Sequence, residues 1–250
     1  MIDRRNSRWS SLSAALLTVV PAAVLAALLV VFLGGCVSNQ THVRHADKAK
    51  AVNAKRVAVI YLTRGKVTYG NLVPQSDEPR DEPSRLWEID QAVESAVRES
   101  LQSAGKQMTA FQIKAHEKYK PESQDFVTAI DAVLFIGEND IRMMNGEFYS
   151  GVGILTDQSR VFQTVITPFA MFAVAAKVQG VAEIAEAYNS KFVGGLGGST
   201  APLVEGVSYH DKLADFSPIE RLRLKQALHA RIRVVIRALF SDLGFAEPEK

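Results

Sequence analysis

Carboxylates are grouped near the middle of the chain, in Glu138-Asn139-Asp140 and at Glu147. Paired carboxylates hydrolyse glycosidic bonds when one is held as the acid and the other acts as base or nucleophile. The group follows the apolar run Ala132-Val133-Leu134-Phe135-Ile136, which is typical of a buried strand. A charged turn leaving such a strand has the same composition. We therefore expect structural carboxylates, and we keep a hydrolase that uses Glu138, Asp140 or Glu147 as an alternative.

The histidines do not fall into a recognisable catalytic or metal-binding pattern. No nucleophile motif with a serine or cysteine lies near His116, His210 or His229. His42 and His45 are three residues apart, but a metal site needs further fixed ligands. We therefore predict no catalytic residues and no metal site.

A glycine-rich segment, residues 194–198, is the one place where backbone amides could cradle a phosphate. A phosphate-binding loop needs a lysine followed by Ser or Thr and then a helix, whereas Ser199-Thr200-Ala201-Pro202 follows here. We expect a mobile loop rather than a nucleotide site, and therefore no cofactor.

The only cysteine, Cys36, ends the tetrapeptide Leu33-Gly34-Gly35-Cys36. It follows a basic start with Arg4, Arg5 and Arg8 and an uncharged stretch over 12–32, the order of a secretory signal. The tetrapeptide resembles the lipobox of bacterial lipoproteins. That resemblance implies a diacylglyceryl group on the Cys36 sulfur and cleavage directly before it. We predict a cleaved signal peptide over 1–35 and a lipidated Cys36.

The apolar run before Cys36 nearly reaches the roughly 20 residues that span a bilayer, so an uncleaved anchor is the alternative. Both interpretations put the body outside the cytoplasm, because the basic start stays inside. Val37 and Ser38 replace the aspartate that favours inner-membrane retention in lipoproteins. The resemblance thus implies an outer-membrane lipoprotein facing the periplasm, with the inner membrane as the alternative.

Composition limits the possible partners. Removal of 1–35 takes away three of 29 basic and one of 27 acidic residues, which leaves 26 of each. A neutral mature chain gives no reason to expect a nucleic-acid partner. Residues 36–55 are polar and lack apolar periodicity, so we predict a lipidated cysteine with a polar tether there and a periplasmic domain over 56–250.

The first half of that domain has clear elements. The run Val57-Ala58-Val59-Ile60-Tyr61-Leu62 predicts a buried strand, and residues 65–83 contain too many breakers for a regular element. Helical spacing over 86–104 ends at Gly105, and strands are expected at 107–113 and 132–136 with a helical turn near 126–130 between them.

The second half begins with β structure. Strands over 148–155 and 160–167 flank a hairpin turn at Asp157-Gln158-Ser159, and Pro168 is expected to stop the second. Residues 169–188 fit a strand or a helix, and Gly180 favours the strand.

A capped amphipathic helix is predicted at the end of the chain. Ser217-Pro218-Ile219-Glu220 reads as a capping box and Gly244 as the C-terminal cap. Its apolar stripe contains Leu224, Leu228, Ile232, Val235, Ile236, Leu239 and Leu243. The opposite face carries Arg223, Arg233 and Arg237 with almost no acidic residue on the helix to oppose them. We predict that these three arginines bind a partner.

This order of elements predicts one α+β domain, a mixed β-sheet packed by helices with a long C-terminal amphipathic helix. The arrangement over 56–243 is similar to the periplasmic domain of lipoproteins that serve secretion and envelope-assembly machines. That resemblance implies a non-catalytic, membrane-tethered binding or assembly component of the envelope, with an envelope protein or a second copy as partner. The alternatives are the carboxylate hydrolase and a carrier of a lipid or small apolar ligand.

Overall fold

The structure is a computed structural model that describes residues 41–44, 48–71, 80–116, 130–142, 148–157, 165–181, 185–189 and 204–247. We number the elements of these residues in chain order. They are β1 (Thr41–Arg44), α1 (Lys48–Asn53), β2 (Arg56–Thr63), β3 (Lys66–Asn71), β4 (Arg80–Pro83), α2 (Ile89–Ser103), β5 (Gln107–Ala115), β6 (Ala132–Glu138), β7 (Asp140–Arg142), β8 (Phe148–Ser150), β9 (Val152–Asp157), β10 (Val165–Ala170), β11 (Phe172–Val178), β12 (Ala185–Asn189) and α3 (Pro218–Leu243), with 3-10 turns at Ser84–Trp87 and Leu213–Asp215.

The larger sheet has the strand order β1-β12-β11-β6-β2-β5. Its strands β5, β2 and β6 are parallel, whereas β11, β12 and β1 add to it in antiparallel fashion. We call the edge where the parallel strands end, at Thr63, Ala115 and Glu138, the carboxyl edge, and the opposite edge the amino edge. The mixed sheet packed by helices confirms the predicted α+β class.

Both faces of the central strands are buried. Val57, Val59 and Tyr61 of β2 belong to the main core with the inner faces of α2 and α3. The alternate residues, such as Ile60 and Phe135, form a second, smaller apolar cluster. A strand that is buried on both faces reads as a continuous apolar run, which is why the sequence located β2 and β6 correctly.

A smaller sheet, with the order β10-β9-β3-β4, corrects two sequence predictions. Residues 65–83 were expected to lack regular elements, yet they contain β3 and β4, joined to β2 by a turn at Gly65 with φ of 72°. Lys66 and Thr68 bind Asp81 across this strand pair. Pro168 was expected to stop a strand but lies inside β10, which tolerates it because β10 is at the sheet edge.

The helices and the uncertain strand region agree with the sequence. The terminal helix α3 spans Pro218–Leu243 as predicted, with the Ser217/Glu220 capping box and a left-handed Gly244. Every residue of its predicted apolar stripe is buried, and Phe240 joins them. Helix α2 ends in a turn with Gly105 at a φ of 66°. The region 169–188 contains β11 and β12, which confirms the favoured strand interpretation.

The predicted tether over 36–55 extends too far into the domain. Strand β1 pairs with β12 along the sheet edge, and Ala51 and Ala54 of the α1 region are buried in the main core. The folded body therefore includes residues before the predicted boundary at 56. The polar sequence misled because an edge strand and one short helix need few apolar residues.

Several sequence predictions fall outside the described residues. These are the Leu33-Gly34-Gly35-Cys36 motif, Glu147, the turn residues 158–159, most of the helical turn near 126–130 and the glycine-rich segment 194–198. Among the helices that the structure describes, none is both long and apolar enough to cross a membrane.

Candidate functional site

The carboxyl edge brings Glu138 together with side chains from the end of β2. Glu138 is 2% exposed. Its Oε1 accepts hydrogen bonds from the Tyr61 hydroxyl at 2.6 Å and from Thr63 Oγ1 at 3.0 Å. The backbone N–H of Arg64 also donates to this carboxylate. Adjacent parallel strands β2 and β6 end side by side, so topology rather than sequence proximity creates the cluster.

Burial controls the protonation of this cluster. It raises the pKa of Glu138, because the charged form loses its hydration, and the donated hydrogen bonds offset only part of that effect. Burial also raises the pKa of Tyr61 well above its usual range, with the neighbouring Glu138 as the next cause. Tyr61 therefore stays a neutral donor.

The second oxygen of Glu138 lies against Gly151, the residue that joins β8 to β9. Gly151 has a φ of 62°, and a Cβ placed there would lie closer than 3.0 Å to the Oε2, Cβ and Cδ atoms of Glu138. In the described part of the chain, Oε2 has no hydrogen-bond partner. Glycine is required here both for its backbone conformation and for this close approach.

Three chain crossings meet beside Glu138 in a closed ring of backbone hydrogen bonds. The N–H of Asn139 donates to the carbonyl oxygen of Met171 at 2.9 Å. The N–H of Met171 donates to the carbonyl oxygen of Gly151 at 2.7 Å, and the N–H of Gly151 donates to the carbonyl oxygen of Asn139 at 2.9 Å, which closes the ring. Asn139, Gly151 and Met171 are the joints of β6 to β7, β8 to β9 and β10 to β11. Glu138 thus supports the junction where strands pass between sheets.

This geometry fits a structural carboxyl better than an acid or base in a reaction. A catalytic carboxyl must come within hydrogen-bond reach of its substrate, whereas Glu138 is enclosed by Tyr61, Thr63 and Gly151. The backbone of Asp140 continues into β7, and Glu147 lies outside the described residues. Within the described residues no group of three or more His, Cys, Asp or Glu side chains is arranged to hold a metal ion.

His116, His210 and His229 lie apart from one another. His116 follows β5 at the carboxyl edge and lies beside Gly137. His210 has its Nε2 3.4 Å from Glu220 Oε2, near the start of α3. The Nε2 of His229 lies 2.7 Å from the Trp87 carbonyl oxygen. They connect elements and do not form one site.

Two charged groups at the amino edge attach the N-terminal segment to the body. The ammonium of Lys106, a residue 4% exposed, donates to the carbonyls of Ala51, Val52 and Ala54 at 2.8 to 2.9 Å. Burial lowers its pKa. All three donors are used, so the lysine caps the C-terminal end of α1 from about fifty residues away. No local sequence signal indicates this contact.

Asp131, just before β6, is the second group. It accepts from the backbone N–H groups of Lys55 and Arg56 and pairs with the Arg56 guanidinium at 3.0 Å. These hydrogen bonds lower the pKa of Asp131 to about 2. A segment predicted to be a tether is thus fixed at both α1 and its junction with β2.

Two basic residues in the first half of α3 have acidic partners on other elements. Arg221 pairs with Glu82 at 2.6 Å and lies over the Trp87 ring, 5.3 Å from its centre. Lys225 pairs with Glu88 at 2.6 Å. These contacts hold the first half of α3 to the turn that precedes α2.

The three predicted partner-binding arginines differ from one another. Arg233 pairs with Glu99 of α2 at 2.9 Å, with both side chains about half exposed. The Nη1 of Arg223 donates to the Gly206 carbonyl at 2.6 Å. The Nε of Arg237 is buried and has no hydrogen-bond partner among the described residues. The expectation of an unopposed row is therefore wrong for Arg233, because periodicity shows only the charges on the same helix. Partner binding by the three arginines stays a prediction.

An exposed stripe along α3 was missed by the sequence analysis. Ile219, Leu222 and Val234 are 55%, 48% and 41% exposed. We define the outer stripe as the exposed residues at helical spacing on this side of α3, namely Ile219, Leu222, Arg223, Gln226, Ala230, Arg233 and Val234. The signal in the sequence was the presence of apolar residues on α3 away from its buried stripe. Arginine is enriched at protein interfaces, and the buried centre of an interface is more apolar than the rest of a protein surface.

Comparison with known proteins adds no relative. No protein-family model, no curated protein and no solved structure matches this chain. The resemblances to bacterial lipoproteins and to envelope-assembly domains remain predictions from the sequence.

Proposed function

We propose that this chain is a lipid-anchored, periplasm-facing binding protein of the cell envelope that does not itself catalyse a reaction. The observation that carries the binding role is the outer stripe of α3, where Ile219, Leu222 and Val234 stay exposed beside Arg223 and Arg233. Single exposed apolar residues need no explanation, but three along one exposed stripe of a helix already stabilised on its opposite side favour a binding role.

The chemistry of the stripe indicates its partner. Leu222 and Val234 offer apolar contact, and Arg223 and Arg233 are exposed guanidinium groups that can bind carboxylates in a bidentate manner. Arg233 already pairs with Glu99, so a partner carboxylate would share or replace that exposed pair at small cost. The expected partner is an envelope protein with an acidic surface that includes apolar side chains.

The structural role of Glu138, the candidate carboxylate, supports the proposed lack of catalysis. Glu138 is buried against Gly151 and is hydrogen bonded to Tyr61 and Thr63. The anchor is supported by the Leu33-Gly34-Gly35-Cys36 motif alone. The carrier alternative has no described feature that favours it.

Site-specific photo-crosslinking in cells tests the binding role. A photoreactive residue at Leu222 should give a discrete adduct, which is reduced when Arg223→Glu and Arg233→Glu are introduced. The matched control is the same residue at Gln102, an exposed position on α2. An adduct of twice the chain's mass would identify a second copy as the partner, and equal adducts from both positions would refute a binding stripe.

The anchor has its own test. Cys36→Ser should leave an unprocessed precursor, which mass spectrometry distinguishes from a mature chain with a modified N-terminal cysteine. An intact, unmodified N-terminus in the wild-type protein would refute the anchor.

A further inference from the structure

The chain enters the folded domain at the carboxyl edge of the large sheet. Thr41 of β1 pairs with Asn189 at the end of β12. The ladder continues from β12 to β11, whose first residue Phe172 pairs with Glu138 at the end of β6. The start of β1 therefore lies at the same edge as the ends of β2, β5 and β6, and β1 runs from that edge toward the amino edge.

Little chain separates this edge from the proposed lipid anchor. Thr41 is five residues after Cys36. Five residues reach at most about 18 Å when fully extended. Strand β11, the second neighbour of β1, runs six residue steps between Phe172 at the carboxyl edge and Val178 at the amino edge, which is about 20 Å. An anchored domain cannot turn its amino edge to the membrane, because Thr41 would then lie farther from the surface than the chain reaches.

Three basic side chains lie at the carboxyl edge. Arg64, Lys114 and His116 are partly exposed there, whereas the Glu138 carboxyl is buried. Basic side chains near a membrane are attracted to lipid phosphates.

We propose that the carboxyl edge of the large sheet lies against the phospholipid headgroups, with the amino edge and Phe245 directed away from the membrane. This orientation rests on the proposed lipidation of Cys36.

The orientation also sets the direction of the outer stripe relative to the membrane. Arg221 binds Glu82 and Trp87 in the segment before α2, and Phe245 packs beside Lys106 at the amino edge.

Helix α3 therefore runs away from the membrane. Ile219 is the membrane-proximal end of the outer stripe, and Val234, fifteen residues later, is about 22 Å farther out. A partner on this stripe is approached from the side. The acidic, apolar partner surface proposed above would therefore stand beside the anchored domain at the same membrane.

Fluorescence quenching on vesicles tests the orientation with two labels on one strand. The full lipidated chain carries a fluorophore at Ala115→Cys or, as the matched control, at Gln107→Cys; both positions are exposed, and an acylated Cys36 does not react with the label. The vesicles contain phosphatidylethanolamine, phosphatidylglycerol and a headgroup-nitroxide lipid. We expect severalfold stronger quenching at position 115 than at 107.

A second pair on another element guards against a local effect of either label. Asp215→Cys lies just before α3 and Glu247→Cys just after it, and both positions are exposed. The first should be quenched more strongly. Equal quenching within both pairs on vesicle-bound protein, or stronger quenching at 107 and 247, refutes the orientation and leaves the anchor intact. A chain that fails to float with the vesicles refutes the anchor and the orientation with it.

Discussion

Replacement of Gly151 by alanine tests the structural role of Glu138 directly. The new Cβ would meet Glu138 Oε2, Cβ and Cδ closer than 3.0 Å, and the backbone φ of 62° is unfavourable for any residue with a side chain. The backbone cost is about 1 to 2 kcal/mol. Forcing a methyl into a packed interior adds about 1 to 3 kcal/mol. We expect Gly151→Ala to lower the free energy of unfolding by about 2 to 5 kcal/mol.

Gly180 provides a matched control for the backbone part of that cost. It has a φ of 74°, but a Cβ at this position meets nothing within 4 Å. Gly180→Ala should therefore cost only the backbone term, about 1 to 2 kcal/mol. The difference between the two variants measures the overlap with Glu138.

Urea unfolding of both variants, alone and combined with Glu138→Ala, completes the experiment. Removal of Glu138 Oε2 and Cδ should relieve Gly151→Ala by at least about 1 kcal/mol and leave Gly180→Ala unchanged. The reasoning would be refuted if Gly151→Ala cost no more than Gly180→Ala. Additive effects of Gly151→Ala and Glu138→Ala would equally refute a contact between these side chains.

Three further predictions concern protonation, the N-terminal segment and the outer stripe. Burial raises the folded-state pKa of Glu138 above 4.5, so the wild-type free energy of unfolding should fall as pH rises from 4.5 through the raised value. Glu138→Gln should remove this component when urea unfolding is measured at a series of pH values. An unchanged pH profile would contradict the prediction. Lys106→Met leaves three carbonyls without their donor and should cost about 2 to 4 kcal/mol; hydrogen exchange should rise first at Ala51, Val52 and Asn53, and unchanged protection there would contradict the cap. The double variant Arg223→Glu, Arg233→Glu should change the free energy of unfolding by no more than about 1 kcal/mol, because both sites are exposed. The same variant should abolish the crosslink from position 222. Arg237 is left unchanged because its Nε is buried.

The sequence predicted those features that local patterns determine. Helix α3 was located to the residue because the capping box at Ser217, the buried stripe and Gly244 all act within one helix. Strands β2 and β6 were found because both of their faces are apolar. By contrast, β3 and β4 were missed because β3 depends on pairing with distant β9 and β4 pairs only with β3, and because this segment is rich in glycine and proline.

The candidate site depended on tertiary contacts that no spacing encodes. Glu138 was singled out correctly as a residue at the end of a buried strand, but its partner Tyr61 is 77 residues away and Gly151 approaches from another crossing. Arg233 looked unopposed because Glu99 lies on a different helix. A sequence pattern reveals which residues share an element, whereas charge pairing is decided by which elements pack together.

The buried ionisable groups and the exposed stripe therefore have separable effects. Glu138 holds the crossings at the carboxyl edge and Lys106 caps α1 at the amino edge, so each acts on stability through a fixed set of hydrogen bonds. The outer stripe faces solvent from a helix whose opposite side is already packed, so its substitution leaves those hydrogen bonds intact. Variants at Glu138 or Lys106 should change partner binding only in proportion to the unfolded fraction. A stripe variant should lose binding while fully folded, and that contrast distinguishes a binding surface from a general loss of structure.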